Sequence, residues 1–487
     1  MSHREGQDPR NRPQDRKGLG AAANPARAGE EHERLTDVGN ARRFARANRG
    51  EILYCHTWNC WMVWDGVVWH ADQTGEAMRR AKDVVRNMYR EAGELPEGPA
   101  RAQLAKHATS SERSSRLEAM IKLARSEESI PVLPDEFDAD SWVLNLENGV
   151  LDLSTGELRE HDPANLCMKQ APIRFSSEAT CPRWDSFLRE IFDSNDELIS
   201  FIGRAVGYFL TGSTKEQKLF FLYGRGANGK TTFVEVVRAL LGTYAVATDS
   251  SSITRRGRRG VRNDVARLNG ARLATAQETD FDEPLDEPLV KQLTGGDTIT
   301  ARFLYSEAFD FKPRFKLLLA GNHKPVIRGT DDAIWRRIVL IPFEVTIPEK
   351  EQDRDLLRKL LRELPGILAW AVRGCLDWRS RGLLIPRSVL NATAEYRTES
   401  DFVGDFIADC CVLDPAARES ATDLNRAHTE WARENGGAPA SPTFLGRQLA
   451  ERGLRKRKSG GRNHWQGIRL RERDSRDGLA PNPEDYS

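Results

Sequence analysis

The chain has 487 residues, 30% of them charged, and a formal net charge of +1. This length is typical of two to four domains, and a charge balanced over the whole chain does not by itself identify a nucleic-acid partner. Seven cysteines without a signal peptide indicate reduced thiols in a cytosol. No apolar stretch is long enough to predict a membrane span, so we expect a cytoplasmic protein without a membrane partner.

The beginning of the chain predicts a disordered tail followed by a helix. Residues 1–33 are rich in Arg, Gly, Pro, Ala, Asp and Glu and hold almost no large apolar residue. The tail mixes charges of both signs, and a weak nucleic-acid-binding arm is the alternative. Thr36 or Asp37 is expected to cap a helix that runs to Ala45.

A hairpin and a helical region follow. Asp65 and Gly66 between two alternating apolar runs indicate a β-hairpin, and residues 73–130 show helical periodicity. Four residues in this region have side chains that can bind zinc: Cys55, His56, Cys60 and His70. Strand alternation distributes these side chains over both faces, so a packed core is favoured over a metal site.

A second hairpin is predicted at residues 142–157. The loop before it contains an acidic group, which we interpret as solvated because it lies in a proline-containing loop rather than at strand ends; its members are Asp135, Glu136, Asp138 and Asp140. A polymerising primase needs carboxylates that converge on metal ions. No such cluster is found in residues 34–180, so a primase active site is not predicted.

Residues 224–231 read G-R-G-A-N-G-K-T between a strand-like apolar run and a helix that stops at Gly242. In this context the pattern predicts a phosphate-binding loop, where backbone N–H groups and the helix N-terminus face the nucleotide. Lys230 would contact the β and γ phosphates and Thr231 would hold Mg²⁺. A chance loop is the alternative. The candidate nucleotide-binding residues are Gly224, Arg225, Gly226, Ala227, Asn228, Gly229, Lys230, Thr231 and Thr232.

Polar residues follow two later apolar runs. Glu278 comes directly after the first run, where an acid beside a phosphate-binding loop can serve the metal and the attacking water. Asp280 is the second choice for this role, or only a loop acid. Asn322 follows the second run, where a polar side chain can hold the γ-phosphate or its water. A simple turn role is the alternative for Asn322.

Five sequence blocks in this order resemble superfamily 3 helicases. The blocks are G-R-G-A-N-G-K-T, A-R-L-A-T-A-Q-E-T-D, K-Q-L-T-G-G-D-T-I-T-A-R-F-L-Y, L-L-L-A-G-N-H-K-P and D-D-A-I-W-R-R-I-V-L-I-P-F. From about residue 36 to about residue 470, the chain resembles the phage/plasmid primase family, whose relatives include the poxvirus primase-helicase. The resemblance implies an α/β fold with an AAA+-like core, ATP and Mg²⁺ as cofactors, and a ring, usually a hexamer, with ATP between subunits.

The resemblance also implies two sets of residues around that core. Arg336 or Arg337 would be the arginine finger that reaches a neighbour's ATP, with an ordinary ion pair to Asp331 or Asp332 as the alternative. A hairpin at residues 298–312 would enter the ring channel. Its tip has Ser306 and Glu307, where relatives often carry lysine. Because the tip lacks that cation, the expected DNA contacts are Lys291 and Arg302. Packing or salt bridging between subunits is the alternative for those two.

Basic segments complete the candidate DNA contacts. A glycine-spaced arginine run at 255–262 suits a phosphate backbone, with a solvated loop as the alternative. Residues 387–473 predict a winged helix whose basic strands suit duplex or forked DNA, with a basic solvated tail as the alternative. The candidate DNA-binding residues are Arg255, Arg256, Arg258, Arg259, Lys291, Arg302, Arg455, Lys456, Arg457, Lys458 and Arg462.

The predicted organisation is a tail (1–33), a mixed α+β domain (34–182), a helicase ATPase domain (183–380, with its core at 216–345), the winged helix (387–473) and a second disordered tail (474–487). The predicted function is an ATP-dependent DNA helicase that translocates on single-stranded DNA in the bacterial cytosol, for a phage or an integrated element. A separate primase or polymerase is a candidate partner. The alternative is an ATP-binding DNA-tethering or assembly factor that does not unwind.

Overall fold

The computed structural model describes residues 34–249, 252–254, 263–277, 284–302, 307–327, 332–435, 439–459 and 462–471. They divide into two compact units. The first comprises residues 34–63 and 71–134, and the second comprises residues 64–70 and the described residues from 135 onward. Strand β3 (Trp69–Ala71) lies where the chain returns from the second unit to the first.

The first unit packs helices against a small sheet. Its elements are α1 (Asp37–Ala47), β1 (Ile52–Cys55), β2 (Cys60–Trp64), α2 (Glu76–Glu94), α3 (Pro99–Ser111), α4 (Ser114–Ala124) and β4 (Pro131–Val132). The Thr36 hydroxyl accepts a hydrogen bond from the Gly39 N–H (3.1 Å) and so caps α1 as predicted. Phe44 packs edge-on against Trp61, with ring centroids 5.6 Å apart. Among the described residues, no group of three or more His, Cys, Asp or Glu is placed to hold a metal ion.

The second unit contains a five-stranded parallel sheet of order β14-β8-β13-β10-β9. The strands are β8 (Leu219–Tyr223), β9 (Ala245–Ala247), β10 (Leu273–Gln277), β13 (Lys316–Gly321) and β14 (Ile338–Pro342). Around them lie α7 (Lys230–Leu241), α8 (Asn263–Ala266), α9 (Glu287–Gly295), β11 (Ile299–Arg302), β12 (Ala308–Phe311) and α10 (Asp332–Trp335). Because all five strands are parallel, their carboxyl ends share one edge, where functional loops of such sheets lie.

A three-stranded meander and five helices pack on this sheet. They are β5 (Val143–Leu146), β6 (Gly149–Asp152), β7 (Glu157–Arg159), α5 (Pro182–Ile191), α6 (Asp196–Leu210), α11 (Leu356–Arg362), α12 (Leu364–Arg381) and α13 (Arg387–Glu399). Leu144, Leu151 and Phe175 share a hydrophobic cluster with Phe233 and Trp184. The meander therefore belongs with the sheet, and the domain boundary lies near residue 134 rather than at 182 as the sequence had predicted.

Asp138 corrects a second prediction, because its carboxylate is not solvated. Its Oδ1 accepts a hydrogen bond from the Met168 N–H (3.1 Å). Burial raises the pKa of Asp138, while this backbone donor and the nearby Arg272 act in the opposite direction. Arg272 itself lies over the Tyr244 ring, 4.4 Å from its centroid, and donates to the Leu210 carbonyl (2.6 Å). Asp138 therefore lies in a group of packed polar residues that includes Arg272.

Helix α13 corrects the predicted start of the C-terminal domain at residue 387. The Thr393 hydroxyl accepts a hydrogen bond from the Leu340 N–H of β14 (3.1 Å), and buried Tyr396 packs edge-on against Trp335. Glu399 forms a 2.5 Å ion pair with Lys324. The helix therefore covers the sheet, and the C-terminal core begins after it, at Val403.

The C-terminal region has the element order helix, strand, helix, helix, strand, strand. These elements are α14 (Phe402–Cys410), β15 (Cys411–Ser420), α15 (Ala421–Glu434), α16 (Pro442–Glu451), β16 (Arg455–Ser459) and β17 (Arg462–Leu470). The Ser441 hydroxyl caps α16 by accepting from the Phe444 N–H (3.2 Å), as its Ser-Pro start predicts. β17 lies between β15 and β16, antiparallel to both. The sequence had not predicted α14 and β15.

Several predictions fall on residues outside the described ranges. They include both terminal tails and the arginine run at 255–262. Within the described part of the chain, no helix combines the length and the apolar character needed to cross a membrane.

His428 on α15 makes the stability of the C-terminal region depend on pH. It is 0% exposed, and neither ring nitrogen has a hydrogen-bond partner among the described residues. Burial lowers its pKa from the ordinary value of 6.5. Between the lowered folded value and about 6.5, the unfolded chain binds the proton and the folded chain does not, so stability is lost as pH falls through this window.

We expect His428→Leu to remove this loss, which is up to about 1.4 kcal/mol per pH unit within the window. The check is thermal unfolding of both proteins between pH 5 and 8. Some pH dependence should remain in the variant, because burial also lowers the pKa of His107. Equal pH dependence in the two proteins would contradict the role given to His428.

Candidate functional site

A glycine loop, residues 224–231, joins the carboxyl end of β8 to the first turn of α7. Gly226 and Gly229 have φ values of 82° and 81°, which favour glycine. A Cβ on Gly224 would lie 2.2 Å from the Phe343 carbonyl oxygen, so a side chain there does not fit. The Phe343 N–H donates to the Tyr223 carbonyl (2.7 Å) and the Ile347 N–H to that of Ala227 (2.7 Å). The segment after β14 is therefore hydrogen-bonded both to the end of β8 and to the glycine loop.

Lys230 is the cation at the centre of this loop. It is 6% exposed, and its Nζ donates to the Gly224 carbonyl (2.6 Å), Asn228 Oδ1 (3.0 Å) and Asn322 Oδ1 (3.1 Å). Burial lowers the pKa of Lys230. Within the described part of the chain its acceptors are neutral amide oxygens, so an anion would find a partly desolvated ammonium not neutralised by a carboxylate.

Asn322 and Lys230 come together because β13 lies next to β8 in the parallel sheet. Asn322 directly follows the carboxyl end of β13, at the edge where the glycine loop begins. The next strand, β10, ends at Gln277, whose Nε2 donates to Glu235 Oε1 of α7 (3.1 Å). Glu278 and Asp280 follow Gln277 but lie outside the described residues.

A cavity of about 810 Å³ opens over this edge. Residues 226–232 of the glycine loop and the first turn of α7 line it, together with Gln277 and residues 320–323. The rest of its wall was not predicted from the sequence and consists of Arg183, Glu190, Ile347, Glu351, Gln352, Asp353, Arg354, Leu356 and Leu357. No motif marks these residues, because they come from α5 and from the segment after β14.

Two arginines of this wall differ in their pairing. Arg183 lies 3.7 Å from Glu190, whereas Arg354 is exposed and has no ion-pair partner among the described residues. Its neighbour Asp353 is held by Lys359 (2.6 Å), which lowers the pKa of Asp353. Glycine backbone, Lys230 and Arg354 together suit a polyphosphate. For a metal ion carried with it, Thr231 on the first turn of α7 supplies a hydroxyl, and this residue is exposed.

Arg336 and Arg337 lie at the opposite edge of the sheet. The Arg337 carbonyl accepts from the Leu219 N–H at the start of β8 (2.7 Å), whereas the glycine loop follows the end of β8. The strand between them has five residues, which is about 16 Å at a rise of about 3.3 Å per residue. Neither arginine can therefore reach the glycine loop of its own chain.

The two arginines also differ in exposure. Arg336 is exposed, but Arg337 is 8% exposed and its Nε donates to the Thr294 hydroxyl (3.1 Å). Asp332 pairs with Arg397 (2.7 Å), while Asp331 lies outside the described residues. Of the two arginine-finger candidates, the structure leaves Arg336 available to a neighbour and places Arg337 inside its own fold.

A third cation, Lys218, lies beside this pair. Its Nζ donates to the Arg336 carbonyl (2.5 Å). Burial lowers the pKa of Lys218, and Arg336 and Arg337 lower it further, whereas Glu216 acts in the opposite direction. Lys218 and the exposed Arg336 are like charges next to each other, so an anion brought to this surface would be stabilised.

The DNA-binding candidates are spread over three elements. Lys291 lies half-buried on α9, and Arg302 is exposed at the end of β11. Residues 455–458 (Arg, Lys, Arg, Lys) are all exposed on the edge strand β16, and Lys456 lies 5.9 Å from the Trp465 ring centroid. Arg255, Arg256, Arg258, Arg259 and Ser306 lie outside the described residues, and the Arg462 side chain is not described.

Comparisons with known proteins give two family matches. Residues 41–193 match the family described as "D5 N terminal like". Residues 222–337 match "Family of unknown function (DUF5906)". The first match continues past residue 182 into α5.

Similar proteins are found in viruses. "Putative helicase L207/L206" of Acanthamoeba polyphaga mimivirus is 30% identical over 323 residues, which cover 61% of this chain and 34% of that protein. "Primase D5" of Fowlpox virus (strain NVSL) is 24% identical over 229 residues, covering 44% of this chain and 29% of that protein. The chain thus spans about a third of the length of these relatives. The solved structure "The apo structure of NrS-1 C terminal region (305-718)" has a TM-score of 0.47 at 9% identity, covering 90% of this chain and 100% of that chain.

The cavity predicts unequal effects for three cation removals. We expect Lys230→Ala to abolish measurable binding of a fluorescent nucleoside triphosphate, because it removes the buried ammonium. Arg354→Ala should weaken binding about tenfold, as a lost charged hydrogen bond does. Lys350→Ala is the control, since this exposed lysine does not line the cavity. Equal weakening by all three would indicate a general charge effect instead of a site.

Proposed function

We propose that this chain, a relative of viral proteins named as primases and helicases, is an ATP-dependent DNA helicase that acts in the replication of a phage or an integrated element. The observation that carries the proposal is the contact of Lys230 with both the glycine loop and Asn322 (3.1 Å). This joins a phosphate-binding lysine to a polar residue at the next strand end, the arrangement that ATP hydrolysis uses.

The proposed cofactors are ATP and Mg²⁺, and each described residue has a role toward them. The glycine-loop N–H groups and Lys230 would bind the phosphates, Thr231 would hold the metal, and Asn322 would orient the terminal phosphate or its water. Glu278, with Asp280 as the alternative, would activate the water. Mg²⁺ supplies charge neutralisation on the phosphate oxygens when bound.

The position of Arg336 is explained if the chain has a superfamily 3 helicase core whose active sites are shared between subunits. The glycine loop and Arg336 lie at opposite edges of one sheet, so an interface that joins them uses two different surfaces. Such a heterologous contact closes into a ring when its rotation permits. We propose a homohexamer in which Arg336 of one subunit stabilises phosphate charge in the next.

The proposed DNA contacts are the hairpin β11–β12 with Lys291 and Arg302, and a C-terminal winged helix. The element order from α14 to β17 fits that motif, and its basic edge strand would contact duplex or forked DNA through phosphates. The second candidate function is an ATP-binding DNA-tethering factor without unwinding. It is kept because the hairpin carries Glu307 and Asp310 as well as Arg302. A separate primase or polymerase would be a partner.

Subunit mixing tests the shared site. Lys230→Ala and Arg336→Ala should each be nearly inactive alone, since a finger contributes about a thousandfold or more in rate. Mixed under conditions of subunit exchange, they should regain partial ATP turnover, because some interfaces then pair an intact loop with an intact arginine. Arg397→Ala, which removes the partner of Asp332 at the opposite end of α10, is the control and should stay active. If subunit exchange is demonstrated but the mixtures regain no ATP turnover, Arg336 does not act as a finger between subunits.

The C-terminal strand predicts a change in salt dependence. Replacing residues 455–458 by glutamine should reduce the slope of log affinity against log salt for duplex or forked DNA by up to about 3.6, which is four counterions at about 0.9 each. ATP turnover without DNA should remain. As a control, glutamine at the exposed α2 residues Lys82, Arg86 and Arg90 should leave the slope unchanged. An unchanged slope in the strand variant would argue against a winged helix that contacts phosphates.

A further inference from the structure

Arg337 is held in the chain at its backbone and at its side chain. Its carbonyl accepts from the Leu219 N–H (2.7 Å), which ties it to the central strand β8. Its Nε donates to the Thr294 hydroxyl (3.1 Å), and its Nη1 donates to the Ala333 carbonyl. The guanidinium therefore bridges α9, which carries Thr294, and α10, which carries Ala333.

The Thr294 hydroxyl is fixed for this contact. It donates its own proton to the Val290 carbonyl (2.7 Å), which leaves its lone pairs to face Arg337. Thr294 is 3% exposed, so the hydrogen bond to the guanidinium is shielded from water. A buried hydrogen bond from a charged donor is among the stronger links between two elements.

Helix α9 and the hairpin β11–β12 are joined by a short link. α9 ends at Gly295, Gly296 follows with φ 78°, and β11 begins at Ile299. Leu293, Ile299 and Ala301 belong to the same hydrophobic cluster. Because only residues 296–298 separate α9 from β11, a displacement of the hairpin would act on the end of α9 that carries Thr294.

Arg336 is fixed beside this bridge. Its carbonyl accepts from Lys218 Nζ (2.5 Å) on one side, and the next residue is Arg337. Its own side chain is exposed. Lys218 and Arg337 hold the backbone on either side of the Arg336 side chain. The direction in which that side chain projects therefore depends on both residues.

We infer that Arg337 is a positioning residue that couples DNA at the hairpin to the orientation of Arg336, through the hydrogen bond to Thr294. The inference rests on the proposed function and adds to it the route by which DNA binding stimulates ATP turnover in the neighbouring subunit. Coupling between two sites typically amounts to about 5–150-fold. The bond is remote from the glycine loop of its own subunit, since Arg337 lies at the opposite edge of the sheet.

The test compares ATP turnover of the full chain with and without a saturating single-stranded oligodeoxynucleotide. Thr294→Val removes the acceptor and keeps the branched shape, and Arg337→Lys keeps the charge and loses the Nε donor. We expect both to reduce the stimulation by DNA about tenfold. For Thr294→Val, basal turnover and oligonucleotide affinity should stay within about twofold of the unmodified chain.

Two controls separate coupling from folding. Thr294→Ser keeps the hydroxyl and should restore the stimulation. Arg397→Ala breaks the ion pair with Asp332 on α10 without touching α9, and should retain it. Thermal unfolding of each variant sets a working temperature at which all are folded.

The outcomes distinguish the inference from the proposed function. Normal stimulation in Thr294→Val would overturn the coupling role of the bond. A loss of oligonucleotide affinity that matches the loss of stimulation would also overturn this role, because Thr294 would then act on DNA binding itself. If the unmodified chain shows no stimulation by DNA, it is the proposed function that fails.

Discussion

The hydrogen bonds of Lys230 join the parts of the sheet on which the candidate site depends. One ammonium contacts the start of the glycine loop at Gly224, its middle at Asn228 and the end of the neighbouring strand at Asn322. Asn228 in turn donates to the Phe343 carbonyl (3.1 Å). These contacts link the carboxyl ends of β8, β13 and β14, and burial of the charge makes each of them costly to lose.

The second constraint is the direction of the strands. With all five strands parallel, the loop that suits phosphate and the exposed Arg336 fall at opposite edges. A single chain cannot bring them together, so the proposed hydrolysis needs a neighbour. The same geometry separates Arg337 from the glycine loop of its own chain, and its side chain contacts Thr294 on α9.

Contacts beyond Asn322 extend toward the C-terminal region. Lys324 pairs with Glu399 on α13 (2.5 Å), and the Tyr396 hydroxyl donates to the Pro325 carbonyl. Asp401, just after α13, pairs with Arg452 at the end of α16. The basic strand β16 is therefore connected to the sheet through charged and hydrogen-bonded contacts as well as by the chain. The domain boundary predicted at residue 387 missed this, because the packing of α13 on the sheet depends on residues far away in the chain.

The sequence by itself determined the local features. The glycine loop, the α1 cap, the hairpins and the strand-end position of Asn322 were predicted because each depends on residues close in the chain. The resemblance to the viral primase-helicases is confirmed by the relatives found. Only the tertiary structure decided the burial of Asp138, the different surroundings of Arg336 and Arg337, and the cavity wall that includes Arg354. Those depend on which distant elements pack together, and burial by residues far away in the chain leaves no periodic pattern around the residue it affects.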